Sequence, residues 1–235
     1  MTQSSDAPWE TARHALEYVE DGQTLGLGTG RAAAAFVEVL GERVRAGLRV
    51  RGVPTSIATA ELAKKVGVPL LTLEEAGPLD VAFDGADEVD PKLDVIKGYG
   101  GALVREMIVA ASARRFVVLV GSEKLVSALG ERGKIPVEFV PYALPLVRRK
   151  LADLGLEPAL RVAAGGETFV TDNGNWIFDC GTKALSDAAG LERAMRVLPG
   201  VVGTGLFLGM ADAVLVQDGR QVRVLERSQP VRARS

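Results

Sequence analysis

The hydrophobic pattern of the first 130 residues alternates between helical periodicity and short β-rich runs. Apolar positions recur at helical spacing in residues 9–19, 31–40, 58–66 and 102–112. Short apolar runs, many of them β-branched, lie at 24–27, 49–53, 81–83 and 116–120. This alternation predicts a mostly parallel, Rossmann-like sheet with helices on both faces. In such sheets ligands bind beyond the carboxyl ends of the strands.

The pattern changes after Lys134. Strands are predicted at residues 135–140, 159–162, 168–170, 176–179 and 201–206, and helices at 144–154 and 188–197. This order approximates the split β-α-β arrangement of a ferredoxin-like α+β unit, with one strand left over in the count. Asn173-Gly174 predicts a type I′ hairpin turn, because both central residues of that turn need positive φ.

Two more predicted strands, at 213–217 and 221–226, are expected to return to the first domain. We therefore predict an α/β catalytic domain formed by residues 1–130 and 206–235. Residues 131–205 are expected to form the smaller ferredoxin-like α+β domain, and the apolar tract 199–208 is a candidate assembly surface.

The composition limits which partners and catalytic groups the protein can have. Hydrophobic residues make up 47% of the 235 residues and charged residues 25%, as in ordinary globular proteins. A net charge of −2 provides no basic surplus for nucleic acid. The sequence lacks a membrane-length apolar run and a signal-peptide pattern, so we expect a cytoplasmic protein without a membrane partner. With only Cys180 and His14, an internal disulfide is excluded, and zinc sites and histidine-dependent nucleophiles are disfavoured. Acid–base work must then fall to Asp, Glu, Lys or Tyr.

A glycine-rich turn directly follows the first predicted strand. Gly28, Thr29 and Gly30 end this turn, and a helix begins at Arg31. Glycines let the backbone approach a ligand, and the helix amino terminus favours an anion. A dinucleotide fingerprint needs glycine where Arg31 stands, so NAD binding is disfavoured. A tight structural turn is the alternative for this motif taken alone.

Clustered carboxylates follow the strand at 81–83. Asp84 stands at the strand's carboxyl end and Asp87 lies three residues later. Carboxylates that repel one another and lose hydration reach pKa values suited to proton transfer. The spacing does not match an EF-hand calcium loop. A solvated acidic turn is the alternative interpretation.

A cation and a carboxylate flank a second glycine loop. Lys97 precedes the glycines, Glu106 lies in the first turns of the next helix, and the loop backbone can wrap a small polar ligand. The loop glycines are Gly98, Gly100 and Gly101. Lys124 follows a further predicted strand. Four strand ends thus supply polar or charged groups, as ligand sites of α/β sheets do.

Taken together, these motifs resemble the blocks of a known family. The segments GLGTG, DGADEVD, KGYGGALVRE, VGSEKLV, KIPVEFVP, FVTDNGN and LPGVVGTGLF resemble, in order and spacing, the blocks of type A ribose-5-phosphate isomerase. The resemblance extends from about residue 10 to 217. The DGADE and KG-x-GG-x-L-x-RE blocks are specific in combination.

The resemblance implies interconversion of ribose 5-phosphate and ribulose 5-phosphate through an enediolate, in the non-oxidative pentose phosphate pathway. It implies that Glu106 is the base, that Asp84, Asp87 and Lys97 complete the active site, and that Thr29 and Lys124 contact substrate. A homodimer or homotetramer is implied, with neither cofactor nor metal.

The departures from the family's pattern lie mainly at the positions that bind the substrate phosphate. Pro8 and Trp9 stand where the family usually carries a lysine, and Arg31 and Ala32 replace two hydroxyl residues of the turn. Tyr99 replaces a glycine of the second loop. We expect Arg31 to take over part of the phosphate contact, because a guanidinium at a helix amino terminus suits an anion.

Two other classes of protein fit part of this pattern. A module that senses a sugar phosphate would keep the glycine turn but gain nothing from four catalytic side chains. A coenzyme A transferase of similar architecture would use a glutamate as a covalent nucleophile and exchange acyl groups. An assay for ketose formation from ribose 5-phosphate separates the three classes.

Overall fold

The structure is a computed structural model that describes residues 9–227. Its strands are β1 (Thr24–Leu27), β2 (Arg51–Pro54), β3 (Leu79–Gly85), β4 (Glu88–Val89), β5 (Val95–Ile96), β6 (Ala113–Gly121), β7 (Lys134–Phe139), β8 (Glu157–Leu160), β9 (Trp176–Gly181), β10 (Val201–Thr204), β11 (Leu206–Phe207), β12 (Ala213–Asp218) and β13 (Gln221–Glu226). Its α-helices are α1 (Trp9–Ala15), α2 (Arg31–Arg45), α3 (Ile57–Val66), α4 (Leu73–Ala76), α5 (Leu103–Ser112), α6 (Leu144–Asp153) and α7 (Ala188–Arg196). Short 3₁₀ turns lie at Leu16–Tyr18, Ser122–Lys124 and Pro141–Ala143. No helix in this part of the chain is long and apolar enough to cross a membrane.

The described chain divides into two compact units. The first comprises residues 9–86, 105–124 and 210–227, and the second comprises 87–104 and 125–209. The first unit contains a six-stranded sheet in the order β13-β12-β6-β3-β1-β2. Its strands pair in parallel except for β13, which runs antiparallel to β12 at one edge. The predicted mostly parallel α/β sheet is confirmed.

Helices α2 and α5 cover opposite faces of this sheet. Successive residues of a strand point to opposite faces, so Ala82 and Phe83 of β3 mark the two sides. Phe83 stacks on Phe36 of α2 with ring centroids 4.1 Å apart. On the other face, a Cβ at Gly26 would lie 2.5 Å from Val109 of α5 and 2.7 Å from Ala82. Glycine at position 26 therefore permits the close approach of α5 to β1.

Local signals set the ends of α3. The Ser56 hydroxyl accepts the Thr59 N–H at 3.1 Å, which satisfies one of the free donors at a helix start. Gly67 caps the helix after Val66, and its φ of +86° is the left-handed conformation that glycine adopts without steric cost.

The second unit is built on antiparallel pairing. A four-stranded sheet has the order β10-β7-β9-β8, and its elements follow along the chain as β7-α6-β8-β9-α7-β10. This is the β-α-β-β-α-β order expected of a ferredoxin-like unit. Phe139 and Phe178 stack in its core at 4.4 Å, packed together with Val147, Leu151 and Met195 from the two helices.

The division of the chain differs from the boundaries expected from sequence. Residues 87–104, 125–130 and 206–209 belong to the second unit. The reason is a three-stranded sheet in the order β11-β5-β4, whose strands have two residues each. Strands this short show no readable alternation in the sequence.

Two local expectations around residue 170 are wrong. Residues 168–170 form no strand, and Thr168 makes only an isolated bridge with Val162. At the following turn the Gly174 N–H donates to the Thr171 carbonyl at 2.9 Å, and positive φ falls on Gly174 and not on Asn173. The turn is therefore not type I′. The Asn173 side chain instead donates to Glu138 Oε1 at 3.0 Å, a tertiary contact that the turn motif could not reveal.

Candidate active site

In the first unit, the glycine turn closes onto Asp84 at the carboxyl ends of β1 and β3. Asp84 is 2% exposed, and its Oδ1 accepts the N–H groups of Thr29 at 3.1 Å and Gly85 at 2.7 Å. A Cβ at position 28 would lie 2.2 Å from Asp84 Cγ. Gly28 therefore lets the carboxylate lie directly against the backbone of the turn, and the two N–H donors fix its orientation.

A cluster of hydroxyl groups surrounds Thr29. Its Oγ1 lies 2.7 Å from Thr55 Oγ1 and 2.9 Å from Ser56 Oγ. Thr59 Oγ1 donates to the Gly28 carbonyl at 2.8 Å. These partners were not foreseen from the sequence, although Thr55 and Ser56 directly follow β2 and the strand-end rule applies to them as well.

Glu106 lies in the first turn of α5 and is 4% exposed. Val109 follows three residues later, so the two side chains share a face of the helix. Because Val109 packs against Gly26, that face is directed at the sheet. The tight packing of α5 on β1 thus determines where the Glu106 carboxylate lies within this unit.

The expected phosphate-binding groups occupy separate positions in the first unit. Arg31 is exposed at the first residue of α2, directly after Gly30, whose φ is +102°. Lys124 ends the 3₁₀ turn after β6 and is half-buried. Pro8 lies outside the described residues, and Trp9 begins α1.

In the second unit, Asp87 and Tyr99 are joined through the backbone. The Asp87 N–H donates to the Ile96 carbonyl at 2.8 Å, and Asp87 Oδ2 accepts the Tyr99 N–H at 3.0 Å. The Tyr99 hydroxyl donates to the Lys134 carbonyl at 3.2 Å, and Lys134 Nζ lies 4.4 Å from the ring centroid. Burial, reinforced by nearby carboxylates, raises the pKa of Tyr99, so its hydroxyl stays protonated and is no candidate base.

Lys97 is held between backbone and aromatic contacts. It is 2% exposed, its N–H donates to the Gly205 carbonyl at 2.9 Å, and its Nζ lies 5.7 Å from the Phe207 ring centroid. That distance is within the range of a cation–π interaction. A Cβ at Gly205 would lie 2.4 Å from the Lys97 carbonyl oxygen, so glycine is required beside it.

The second glycine loop depends on positive φ at two positions. Gly98 has φ +102° and Gly101 has φ +86°, and the Gly101 N–H donates to the Gly98 carbonyl at 3.0 Å. A Cβ at Gly101 would lie 2.5 Å from Phe169 Cζ. Gly100 is exposed at the tip of the loop. The contact with Phe169 was not foreseen from the sequence.

Each unit thus carries one part of the predicted set. Asp84, Glu106 and the N–H-rich glycine turn belong to the first unit, and Asp87 and Lys97 belong to the second. Among residues 9–227, no group of three or more His, Cys, Asp or Glu is placed to hold a metal ion. The first unit therefore belongs to the class of α/β sheets that bind small ligands beyond their carboxyl ends, and its buried carboxylates Asp84 and Glu106 are candidates for proton transfer.

Comparison with known proteins identifies the family within this class. Residues 51–221 match the sequence profile of ribose 5-phosphate isomerase A (phosphoriboisomerase A). Ribose-5-phosphate isomerase A of Roseiflexus sp. (strain RS-1) is 51% identical over 207 residues, which cover 87% of this chain and 89% of the relative. The protein of that name from Nitrobacter hamburgensis is 48% identical over 224 residues, covering 93% and 96%. This chain belongs to the ribose 5-phosphate isomerase A family.

Solved structures agree with this assignment. The fold matches ribose 5-phosphate isomerase A from Methanocaldococcus jannaschii with a TM-score of 0.91 at 42% identity, covering 95% of this chain and all of the other. A D-ribose-5-phosphate isomerase in complex with phospho-erythronic acid matches with a TM-score of 0.91 at 35% identity, covering 96% and 100%.

Proposed function

We propose that this protein interconverts D-ribose 5-phosphate and D-ribulose 5-phosphate, with Glu106 as the proton-transferring base. The observation that supports it most is that three of the four residues assigned to the reaction are both charged and buried. Asp84 and Lys97 are each 2% exposed and Glu106 is 4% exposed. Removing charged groups from water costs several kcal/mol per ion. A charged group on a family's motif segments that stays buried at this cost is a candidate for a functional role.

The reaction moves one carbonyl between adjacent carbons. The Glu106 carboxylate removes the proton from carbon 2 of the open-chain aldose, and the electron pair moves toward the carbonyl oxygen on carbon 1 to form the enediolate. Glu106 then returns the proton to carbon 1, while the hydroxyl proton on oxygen 2 is lost and oxygen 1 gains a proton. Carbon 2 becomes the carbonyl, and no electrons leave the substrate. Proton transfer of this kind needs no metal.

Negative charge that develops on the substrate oxygen requires donors fixed in advance. We assign this role to the Lys97 ammonium group and to N–H groups of the loop 98–101. Asp84 and Asp87, each oriented by backbone N–H groups, are assigned to ring opening and to the hydroxyl proton transfers. The phosphate is assigned to the turn Gly28-Thr29-Gly30 with Arg31 and Lys124.

The second part of the proposal concerns context. We propose a homodimer or homotetramer that acts in the cytoplasm, without nucleic-acid or membrane partners. Support comes from apolar side chains exposed on the second unit, including Val140, Tyr142 and Val202 on or beside its sheet. Cys180 is buried and free, so the fold does not depend on an oxidising compartment.

The test measures ketose formation from ribose 5-phosphate by wild-type protein and by Glu106→Gln. The amide has nearly the same shape but cannot accept the proton, so turnover should fall by about 10²- to 10⁴-fold. Phospho-erythronic acid, tested by calorimetry, should bind both proteins with similar affinity. Glu74→Gln, on an exposed helix residue, is the matched control and should keep wild-type turnover.

Three outcomes would contradict the proposal. Binding without turnover by the wild type would indicate a sensing module. Acyl exchange with coenzyme A thioesters would indicate a transferase. A Glu106→Gln variant with more than a tenth of wild-type turnover would remove Glu106 from the role of base.

A further inference from the structure

The backbone of the glycine loop is held by a side chain outside the loop, from the segment after β8. Arg161 Nη1 donates to the Gly98 carbonyl at 2.9 Å and to the Tyr99 carbonyl at 3.3 Å. The Arg161 side chain is only 9% exposed. Neither composition nor the motif blocks singled out this arginine, because its partners in the loop are backbone atoms more than 60 positions away.

Asp179 of β9 fixes the orientation of this guanidinium. Arg161 Nε donates to Asp179 Oδ2 at 3.1 Å and Nη2 donates to Oδ1 at 2.5 Å, a two-point pairing that sets the plane of the arginine. Lys134 Nζ adds a contact with Asp179 Oδ2 at 3.3 Å. Burial by itself would raise the pKa of Asp179, but the hydrogen bonds and charge of Arg161, together with Lys134, outweigh it and leave the pKa lowered.

Because Arg161 holds these carbonyl groups, it also sets the direction of the N–H group in each of the same peptide units. In a trans peptide the C=O and the next N–H point in opposite directions. The Gly98 carbonyl faces Arg161, so the Tyr99 N–H points the other way, where it meets Asp87 Oδ2 at 3.0 Å. The Tyr99 carbonyl also faces Arg161, so the Gly100 N–H is directed away from the arginine, at the exposed tip of the loop.

A second contact supports the loop from the same part of the unit. The Phe169 N–H donates to the Arg161 carbonyl at 3.0 Å, and the Phe169 ring packs against Gly101. The segment after Phe169 is itself anchored, because Thr171 and Asn175 both donate to Glu138 Oε1. The loop is therefore held at Gly98, Tyr99 and Gly101 by residues that are not themselves assigned to the substrate.

We propose that Arg161, oriented by Asp179, is a positioning residue of the reaction: it sets the peptide planes of residues 98–100 and the direction of the Asp87 carboxylate. This rests on the proposed function, in which the loop N–H groups stabilise the enediolate. Such donors act on charge that develops after binding, so their misplacement lowers kcat more than it raises KM. A shift of about 1 Å in such groups costs up to about 10²-fold.

Arg161→Lys is the variant that separates positioning from folding. Lysine keeps the positive charge beside Asp179 but cannot pair with Asp179 and contact two carbonyls in one plane. We expect kcat to fall about 10- to 100-fold with KM within about threefold of wild type. With ribose 5-phosphate deuterated at carbon 2, the isotope effect on kcat should rise, because proton transfer becomes more rate-limiting.

The matched control is Arg148→Lys, the same change in the same unit, at an exposed arginine that lies over the Phe178 ring at 5.2 Å. It should leave kcat and the isotope effect unchanged. Asp179→Asn is the second variant and should show a smaller fall in kcat, again without a rise in KM. Circular dichroism sets the assay temperature below the unfolding transition of every variant.

The outcomes separate this inference from the proposed function. A wild type that forms no ketose contradicts both. An active wild type with a folded Arg161→Lys that keeps kcat within twofold overturns only the positioning role. A variant whose KM rises while kcat stays unchanged overturns it too, because the loop would then serve ground-state binding.

Discussion

Replacing Gly28 with alanine should lower kcat through a steric clash with the Asp84 side chain. The Cβ would lie 2.2 Å from Cγ and 2.3 Å from Oδ1 of Asp84. Contacting carbon atoms are most stable about 3.5–4.0 Å apart, so the carboxylate or the turn must move by more than about 1 Å. The φ of Gly28 is not in the left-handed region, so backbone conformation does not itself forbid alanine.

The magnitude follows from this displacement. A misplacement of about 1 Å in a catalytic constellation costs about 10²-fold in rate, so kcat should fall by about that factor. Overpacking a well-packed site costs about 1–3 kcal/mol of stability. For a chain of this size that lowers Tm by about 2–4 °C per kcal/mol, so the variant should remain folded at 25 °C.

Gly85→Ala is the matched control because it changes the residue next to the same carboxylate. A Cβ there would meet only Ala32 Cβ and the Leu119 carbonyl oxygen, both at 3.7 Å, which is ordinary contact. Ketose formation should therefore stay near the wild-type rate in Gly85→Ala while it falls in Gly28→Ala. The steric reasoning is refuted if Gly28→Ala keeps more than half of wild-type kcat, or if both variants lose activity equally.

Four further predictions test other parts of the proposal. Arg31→Ala should raise KM for ribose 5-phosphate about 10- to 150-fold but barely change KM for unphosphorylated ribose. The control Arg43→Ala, on the same helix, should leave both KM values unchanged. Equal losses on both sugars would exclude a phosphate contact. Turnover should persist after exhaustive chelation with EDTA, and loss of activity that added zinc, manganese or magnesium restores would contradict the carboxylate mechanism. Burial raises the pKa of Glu88, so the folded state keeps this proton to higher pH than the unfolded chain does. The contribution of Glu88 to the free energy of unfolding is therefore lost as pH rises from about 4.5 through the raised pKa. Urea unfolding should show a steeper loss of stability across this pH range in wild type than in Glu88→Gln, whereas identical slopes would contradict the assignment. Light scattering should give a mass two or four times 24.8 kDa, and a monomer at every concentration would exclude the proposed assembly.

Local sequence was enough to predict where the main strands and helices of the first unit begin. The strand Thr24–Leu27 and the helices beginning at Arg31 and at Leu103 lie where periodicity and the glycine turn placed them, to within a residue. The strand-end rule also brought Gly28 and Asp84 together in advance, because parallel strands present their carboxyl ends at one edge of the sheet. These signals are local or follow from the direction of the strands alone.

The remaining features depend on contacts between segments distant in the chain. The two-residue strands of the β11-β5-β4 sheet, the turn at Thr171–Gly174 and the support of the glycine loop by Arg161 have no periodic signature. The Arg161 guanidinium binds backbone carbonyls, which every residue possesses, so the residue types at positions 98 and 99 do not predict this contact. Sequence by itself therefore determined the fold class and named the residues proposed to bear the chemistry. Only the tertiary structure decided how the backbone around them is held, because that depends on partners that pair in space and not along the chain.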